Sequence, residues 1–382
     1  MEHADAPVGT RVPRGGEVVK PLYKPRGGII SRGWLFMGEN GGPCDKACEF
    51  CYYAAQKSLV FFSYETMLQH ANLFRHYYGL DACDITGGEA TIYKTPKGTI
   101  VDLVKHCATI GLKPTIISHG QNNRDDWKLG YARPLYQEIE DAGLEDWLIS
   151  LHGGSAASHD KILGGEGSFK RLVAGLDLVK KPVRFNSTIV DTNFRDLPVN
   201  ILKDRPPTVY NMIAFNPFHA WHEKTGLTEI DFQAKYTDSA PYVAKAVNEL
   251  ESLGWEVNVR YFPLCIAEQH GFAPNVSGYH QVPYDPWEWR LNVTGRMPME
   301  QIERQGGWEA AERNAALTWM KGRSNPTCST CRNKMICDAP QIQYQKKYGL
   351  DELIPFIGEP IVDPLHYQSL RGIAAAIEEK AS

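Results

Sequence analysis

The sequence lacks three features that would assign it to common classes of protein. No segment approaches the ~18 consecutive apolar residues that a membrane-spanning helix requires. The first 28 residues contain no apolar run of the kind found in a secretory signal peptide. The chain has no run of lysine and arginine, and its formal net charge is -4, so it lacks the basic footprint that holds a phosphate backbone. These absences predict a cytoplasmic protein that contacts neither a membrane nor nucleic acid.

The bulk composition is that of an ordinary globular protein. The chain has 382 residues, of which 43% are apolar and 23% are charged. Because domains usually contain ~100–200 residues, this length predicts one large domain with a smaller module. Residues 1–30 are rich in glycine and proline with scattered basic residues, a pattern that predicts an extended N-terminal arm.

After this arm, short apolar runs alternate with helical patterns, which predicts βα units and a parallel sheet. Six runs predict strands, and their number favours an α/β fold, a partial (β/α)6 TIM-type barrel over residues 31–260. Beyond this range the pattern becomes irregular, so residues 261–382 are predicted to form a small irregular second domain with C-terminal helices. The predicted strands are "GWLFMG" from Gly33, "DACDIT" from Asp81, "KPTIIS" from Lys113, "DWLISL" from Asp146, "VRFNSTIV" from Val183 and "TVYNMIAF" from Thr208.

Three of the nine cysteines lie close together directly after the first predicted strand. Cys44, Cys48 and Cys51 form the pattern C-x3-C-x2-C, and a disulfide would use only two of them. In a chain without a secretory signal, cysteines are expected to remain reduced. Three thiolates on one loop can hold an iron-sulfur cluster and leave one iron open. A zinc site is the alternative, although it would need a fourth ligand.

A second motif follows the second predicted strand. In "ITGGEAT", Gly87 and Gly88 let the backbone approach a ligand closely, and the Glu89 side chain and nearby carbonyls can accept hydrogen bonds from an ammonium group. Together with the cysteine loop, in which Phe50 precedes the last cysteine, this motif resembles the radical S-adenosylmethionine (radical SAM) superfamily.

The resemblance implies a set of cofactors and binding residues. Cys44, Cys48 and Cys51 would hold a 4Fe-4S cluster, and the amino and carboxylate groups of S-adenosylmethionine would bind its open iron. Phe50 and the G-G-E turn would contact this cofactor. Polar residues at further strand ends are candidates for the ribose or carboxylate, and two histidines are candidates for proton transfer. The candidates at the strand ends are Ser118, Ser150, Asn186 or Ser187 for the cofactor, and His119 and His152 as weak catalytic candidates.

A second cysteine group lies in the C-terminal region. Cys328, Cys331 and Cys337 form C-x2-C-x5-C, and Cys265 precedes them by some sixty residues. Four thiols also describe a structural zinc site. Behind a radical SAM barrel, the pattern resembles the SPASM or twitch domain, which implies an auxiliary 4Fe-4S cluster. Gln341 stands where the full SPASM pattern has a further cysteine, so a single auxiliary cluster is expected.

The resemblance implies an enzyme that reductively cleaves S-adenosylmethionine to a 5'-deoxyadenosyl radical, which then abstracts hydrogen from a substrate. The expected electron donor is a flavodoxin or ferredoxin, and the auxiliary cluster would aid electron transfer. About thirty residues precede the first strand, too few for a leader-binding domain, which favours a small-molecule substrate or a short peptide. The alternatives are a radical SAM peptide maturase that forms a cross-link or an epimer, and a non-catalytic zinc or iron-sulfur protein.

Overall fold

The computed structural model describes most of the predicted barrel and part of the C-terminal region. The predicted N-terminal arm lies outside the described residues. The described residues are 32–38, 42–51, 60–77, 79–122, 134–214, 232–278, 303–304, 306, 326–363 and 366–368.

The main sheet has eight parallel strands that run in the order β1-β2-β5-β6-β7-β8-β9-β10, while β3 and β4 form a separate antiparallel pair. All six predicted strands are confirmed, and the partial TIM-type barrel is confirmed as the fold class. The expected count of six was too low, because two further strands, β9 and β10, extend the same sheet. The domain boundary near residue 260 stays a prediction, although β10 lies beyond it. The strands are β1 (Arg32–Phe36), β2 (Ala82–Thr86), β3 (Lys94–Thr95), β4 (Gly98–Thr99), β5 (Lys113–Ser118), β6 (Asp146–Ser150), β7 (Val183–Ile189), β8 (Val209–Ala214), β9 (Glu256–Arg260) and β10 (Val276–Ser277).

Helices follow most of the strands, as the alternating pattern predicts. Ser63 caps the first helix, since its side chain accepts a hydrogen bond from the backbone N–H of Thr66. A π-helical turn, Leu73–Tyr77, extends this helix. The α-helices of the described residues are α1 (Tyr64–Asn72), α2 (Ile100–Thr109), α3 (Leu135–Asp141), α4 (Ala156–Leu163), α5 (Ser168–Leu176), α6 (Val199–Lys203), α7 (Tyr236–Glu251), α8 (Leu264–Gln269) and α9 (Ile342–Tyr348). None of them is long and apolar enough to span a bilayer.

The two faces of the main sheet differ in chemistry. One face packs against the helices and contributes residues such as Ile116, Ile149 and Phe185 to the hydrophobic core. The other face, which lines the concave side of the curled sheet, carries polar residues because alternate side chains along a strand point to opposite faces. Ser150, Asn186, Asn211 and Asn258 form a polar row across four neighbouring strands.

A buried charged network closes the amino-terminal end of this concave face. Arg32 donates to Asp84 at 2.5 Å and to Thr115 at 3.0 Å. Arg184 donates to Asp146 through Nε at 2.6 Å and to Thr115 at 3.1 Å. Because buried charges are costly unless they are paired, this network holds five strands in one arrangement.

The C-terminal module packs on the amino-terminal end of α7. The Tyr344 hydroxyl of α9 accepts a hydrogen bond from the Tyr236 N–H at 2.9 Å, and the two rings lie 4.4 Å apart. The Glu352 carboxylate accepts hydrogen bonds from the N–H and hydroxyl of Thr237 at 3.1 Å and 2.8 Å. The region that contains Cys328, Cys331 and Cys337 is thereby tied to the barrel through α9 and Glu352.

Candidate functional site

The cysteine loop lies at the carboxyl-terminal end of β1, and it contacts the G-G-E turn that follows β2. The Gly42 N–H donates to the Gly87 carbonyl at 2.5 Å, and the Glu89 N–H donates to the Pro43 carbonyl at 3.0 Å. Gly88 has a φ of +88°, and a Cβ placed there would lie closer than 3.0 Å to the carbonyl oxygens of Gly42 and Pro43. Glycine at this position is therefore required both by its backbone conformation and by the close approach of the two segments.

The other end of the loop is held by helix α4. The N–H groups of Ala47 and Glu49 donate to the Leu163 and Ile162 carbonyls at 3.3 Å and 2.9 Å. These are carbonyls of the last helical turn, which have no partner within the helix. Cys48 and Phe50 also pack against the apolar end of α4. The loop is thus fixed on two sides before any cofactor binds.

The three thiols of this loop interact with one another. Desolvation within the loop, followed by the charge of Glu89, raises the pKa of Cys44 to about 12. Burial, followed by the neighbouring Cys51 and Cys44, raises the pKa of Cys48. Without a metal, Cys44 and Cys48 therefore remain protonated at neutral pH, and cluster binding must release their protons. Because Cys51 affects the pKa values of Cys44 and Cys48, the three predicted ligands lie near one another. This arrangement fits a cluster held by three thiolates.

The Glu89 carboxylate is buried and saturated with donors. Its Oε1 accepts from the Thr91 N–H at 3.1 Å, the Thr91 hydroxyl at 2.5 Å and the Ser118 hydroxyl at 2.7 Å. Its Oε2 accepts from the His119 N–H at 2.9 Å. The Glu89 carboxylate therefore holds the G-G-E turn against Ser118 and His119 at the end of β5. Ser118, predicted as a cofactor contact, also donates to this carboxylate and is buried.

His119 lies between the two motifs. Its Nε2 is 2.7 Å from Asp45 Oδ1 and 3.2 Å from Glu89 Oε2. Its Nδ1 accepts a hydrogen bond from the Gln121 N–H at 3.2 Å, so the ring proton is on Nε2. Although burial alone would raise it, the hydrogen bond and charge of His119 and of Lys46 hold the pKa of Asp45 below its ordinary value.

A compact donor group formed by Cys44, Asp45 and His119 is the single candidate for a mononuclear metal that the described residues offer. Its ligand atoms lie within 4.8 Å of one another. A metal would need the lone pair of the His119 Nε2, yet this nitrogen carries the proton when Nδ1 accepts from Gln121. The hydrogen-bonding pattern therefore favours a donor to Asp45 over a metal ligand.

His152 is buried beside Phe50, with ring centroids 5.0 Å apart. Its Nδ1 accepts from the Thr188 N–H at 3.1 Å, and its ring stacks on that of His159. Burial, followed by the charge of His159, lowers the pKa of His152 to about 3. The neutral, buried imidazole of His152 packs against the Phe50 ring. Such a group is a poor general base at neutral pH.

The remaining candidates at strand ends, Ser150, Asn186 and Ser187, lie on different faces of the main sheet. Ser150 and Asn186 are register partners on the polar concave face. Ser187 points to the opposite face, where its hydroxyl donates to the Leu151 carbonyl and accepts from Tyr210 at 2.8 Å. Of the two alternatives for a cofactor contact on β7, the geometry favours Asn186.

The four cysteines of the second group also come together, although they are far apart in sequence. Burial, followed by the charges of Cys328 and Cys331, raises the pKa of Cys265 to about 12. Cys337 is half-buried near Cys265 and Cys328, and its Sγ accepts a hydrogen bond from the Leu264 N–H at 3.4 Å. All four are described, and no three of their sulfurs lie within 4.8 Å of one another.

The sequence reasoning missed Asp45 and Thr91. Asp45 lies between the first two cysteines, and Thr91 follows the G-G-E motif by one residue. The polar character of "CDKAC" was visible, but its partner His119 is 74 residues away. The role of Asp45 depends on a contact with the end of another strand, which sequence spacing does not encode, whereas Thr91 bonds Glu89 within the same turn.

Comparisons with known proteins support the class that these motifs predict. No protein-family model matches the chain. Over 112 residues the chain is 29% identical to a PqqA peptide cyclase of Methylocella silvestris, a match that covers 28% of this chain and 27% of that protein. Over 104 residues it is 22% identical to an AdoMet-dependent heme synthase of Methanosarcina barkeri, covering 26% and 30%. The chain thus matches less than a third of the length of each of these relatives.

Solved structures share the fold across most of the chain. The structure of a histidine-tagged anSMEcpe with bound AdoMet aligns with a TM-score of 0.54 and 15% identity, covering 92% of this chain and 96% of that one. Native anSMEcpe with bound AdoMet and a peptide aligns with a TM-score of 0.53 and 14% identity, covering 91% and 99%. At this identity the likeness shows the fold. Together with the sequence matches, it supports a radical SAM enzyme.

Proposed function

We propose that this protein reductively cleaves S-adenosylmethionine at a 4Fe-4S cluster and uses the resulting 5'-deoxyadenosyl radical to abstract hydrogen from a substrate. The observation that carries the proposal is the direct contact between the cysteine loop and the G-G-E turn, through the Gly42–Gly87 and Pro43–Glu89 hydrogen bonds. These contacts support the proposal, because they hold the loop of the proposed cluster ligands beside the backbone that would receive an ammonium group. The bound cluster and AdoMet supply the radical chemistry, and the chain's own residues position them.

The residues present fit these cofactors. Cys44, Cys48 and Cys51 would hold the cluster on a loop that is fixed at both ends. Ser150 and Asn186 line the polar concave face, where they would contact the ribose or carboxylate. Within the part of the chain that the structure describes, the buried Asn186 Oδ1 has no hydrogen-bond partner, and a ligand hydroxyl would satisfy this acceptor. The barrel thus offers polar contacts above the cluster.

Cys265, Cys328, Cys331 and Cys337 are the proposed ligands of one auxiliary 4Fe-4S cluster. Four thiolates would complete its coordination, which favours electron transfer over direct substrate binding. Gln341 is buried at the position of the cysteine that the full SPASM pattern carries. A single auxiliary cluster therefore fits this module better than two.

The proposed substrate is a small molecule, which the polar residues on the concave face would bind. A peptide maturase is the second candidate, and the likeness to a protein named PqqA peptide cyclase favours it. Candidate metabolites and short peptides, each added to the reduced protein, would separate the two by which one increases 5'-deoxyadenosine formation. A flavodoxin or ferredoxin is the proposed reductant.

The test is anaerobic purification followed by reaction with AdoMet and dithionite. The wild-type protein is expected to be brown and to release 5'-deoxyadenosine. Replacement of Cys44, Cys48 and Cys51 by alanine should abolish this product and remove about half of the iron, because the auxiliary cluster remains. Replacement of Cys328 and Cys331 is the matched control, which should also remove about half of the iron but retain AdoMet cleavage. A colourless protein that contains zinc would contradict the proposal and favour a non-catalytic metal protein.

A further inference from the structure

His119 links the cysteine loop to the G-G-E turn by two hydrogen bonds, one from its side chain to Asp45 and one from its backbone N–H to Glu89. Asp45 belongs to the loop, Glu89 to the turn, and His119 follows β5 and contacts both. The His119 Nε2 lies 2.7 Å from Asp45 Oδ1 and 3.2 Å from Glu89 Oε2, and its backbone N–H donates to Glu89 Oε2 at 2.9 Å. His119 therefore contacts both the cysteine loop and the G-G-E turn.

Between its two backbone anchors, the cysteine loop is linked to the barrel through the Asp45 side chain. Its backbone is anchored at Gly42 and Pro43 on one side and at Ala47 and Glu49 on the other. Asp45 lies between these anchors with a half-exposed side chain, and it follows Cys44 directly. Among the described residues, His119 and Lys46 are the partners that hold the Asp45 carboxylate. Lys46 belongs to the same loop, so His119 alone ties this carboxylate to the barrel.

His119 is itself firmly placed. It is buried, its Nδ1 accepts from the Gln121 N–H, and its backbone N–H is held by Glu89. With both ring nitrogens engaged, it is poorly suited to take or give a proton during turnover. A fixed donor of this kind suits a positioning role, in which a rigid side chain holds the groups that contact a ligand.

We propose that His119 is a positioning residue that holds the cluster loop in register with the turn that receives the AdoMet ammonium group. This inference rests on the proposed function. AdoMet must contact the open iron and the G-G-E turn at the same time, so its affinity depends on the spacing of the two segments. A link that fixes this spacing in advance reduces the ordering cost of binding.

The experiment measures AdoMet affinity by equilibrium dialysis on iron-loaded protein, with iron content measured in parallel. His119→Leu removes the donor to Asp45 and is expected to weaken AdoMet binding by about tenfold per loaded cluster, while iron content stays near that of wild type. His119→Gln retains an N–H donor at a similar reach and should stay within about threefold of wild type. His106→Leu is the matched control, because His106 is half-buried on α2 and bonds Asn72 away from the site.

Asp45→Ala tests the same link from the loop, at a half-exposed position. It should weaken AdoMet binding as His119→Leu does, and the double variant should be no weaker than either single variant, because both changes break one interaction. Unchanged affinity in His119→Leu, an equal loss in His119→Gln, or additive losses in the double variant would overturn the inference. A wild-type protein that takes up no iron or binds no AdoMet would instead overturn the proposed function, and this inference with it.

Discussion

At the residue scale, Gly88 is the point where the two motifs approach most closely. Its φ of +88° disfavours any side chain, and the carbonyls of Gly42 and Pro43 occupy the space of a Cβ. Gly271 offers a matched comparison, because its φ is +79° and no atom lies within 4 Å of its Cβ position. The two glycines share a backbone conformation and differ in their surroundings.

We therefore expect Gly88→Ala to displace the cysteine loop. Gly271→Ala should cost about 1–2 kcal/mol in unfolding free energy from its left-handed backbone alone, with full iron content. Gly88→Ala should cost more and should lose the iron of the first cluster, because its methyl group pushes the loop from the turn. Urea unfolding and iron analysis measure both effects. Equal behaviour of the two variants would contradict a close contact at Gly88.

The residue types of the site could be predicted from sequence, but their partners could not. The spacing of Cys44, Cys48 and Cys51 and the nearby G-G-E motif are local patterns that carry their chemistry with them. In contrast, the hydrogen bond between Asp45 and His119 joins two strand ends, and the choice of Asn186 over Ser187 depends on which face of β7 is concave. Both are properties of the folded sheet.

His70 gives the protein a predicted sensitivity to acid. Burial lowers the pKa of His70 to about 4 in the fold, whereas an unfolded histidine titrates near about 6.5. The contribution of the neutral ring is complete above about pH 6.5 and is lost as the pH falls towards about 4. Between about pH 6 and pH 5, the unfolding free energy of wild type should fall by about 1 kcal/mol more than that of His70→Leu. Identical pH slopes in urea unfolding would show that His70 is not the group responsible.

At the element scale, the strands that the sequence predicted are those with apolar or alternating runs of five or more residues. Strand β9 was missed although Val257 and Val259 alternate with polar residues, because three of its five residues are polar or charged and the apolar signal is weak. Strand β10 has two residues and exists because it pairs with β9, with Ser277 beside Arg260. A strand of this length is defined by its neighbour, so its own sequence cannot reveal it.

The buried network beneath the polar row should dominate the stability of the sheet. Asp84→Ala leaves the buried Arg32 without its 2.5 Å carboxylate partner, and removal of one member of a buried ion pair costs about 3–5 kcal/mol. Asp81→Ala is the control, because it removes a surface pair with Arg75 at 3.1 Å that is worth at most about 1 kcal/mol. Urea unfolding compares the two. A loss for Asp84→Ala no larger than that for Asp81→Ala would mean that Arg32 finds another partner.

At the scale of the whole molecule, the barrel and the C-terminal module meet through a small number of specific contacts. Glu352 accepts two hydrogen bonds from Thr237 in the first turn of α7, and it also bonds the Tyr344 hydroxyl. A carboxylate at the amino-terminal end of a helix interacts favourably with the helix dipole. This contact fixes the module that carries three of the four auxiliary cysteines.

Glu352→Ala is therefore expected to loosen the module while leaving the barrel intact. Hydrogen exchange of the α9 amides should accelerate by about tenfold or more, since loss of the hydrogen bonds to a charged group costs about 1.5–3 kcal/mol, and the β5 and β6 amides should keep their wild-type protection. Glu359→Ala, at an exposed position of the same module, is the control and should change neither region. Faster exchange in α9 and the strands to the same extent would show instead that the module and the barrel unfold as one cooperative unit.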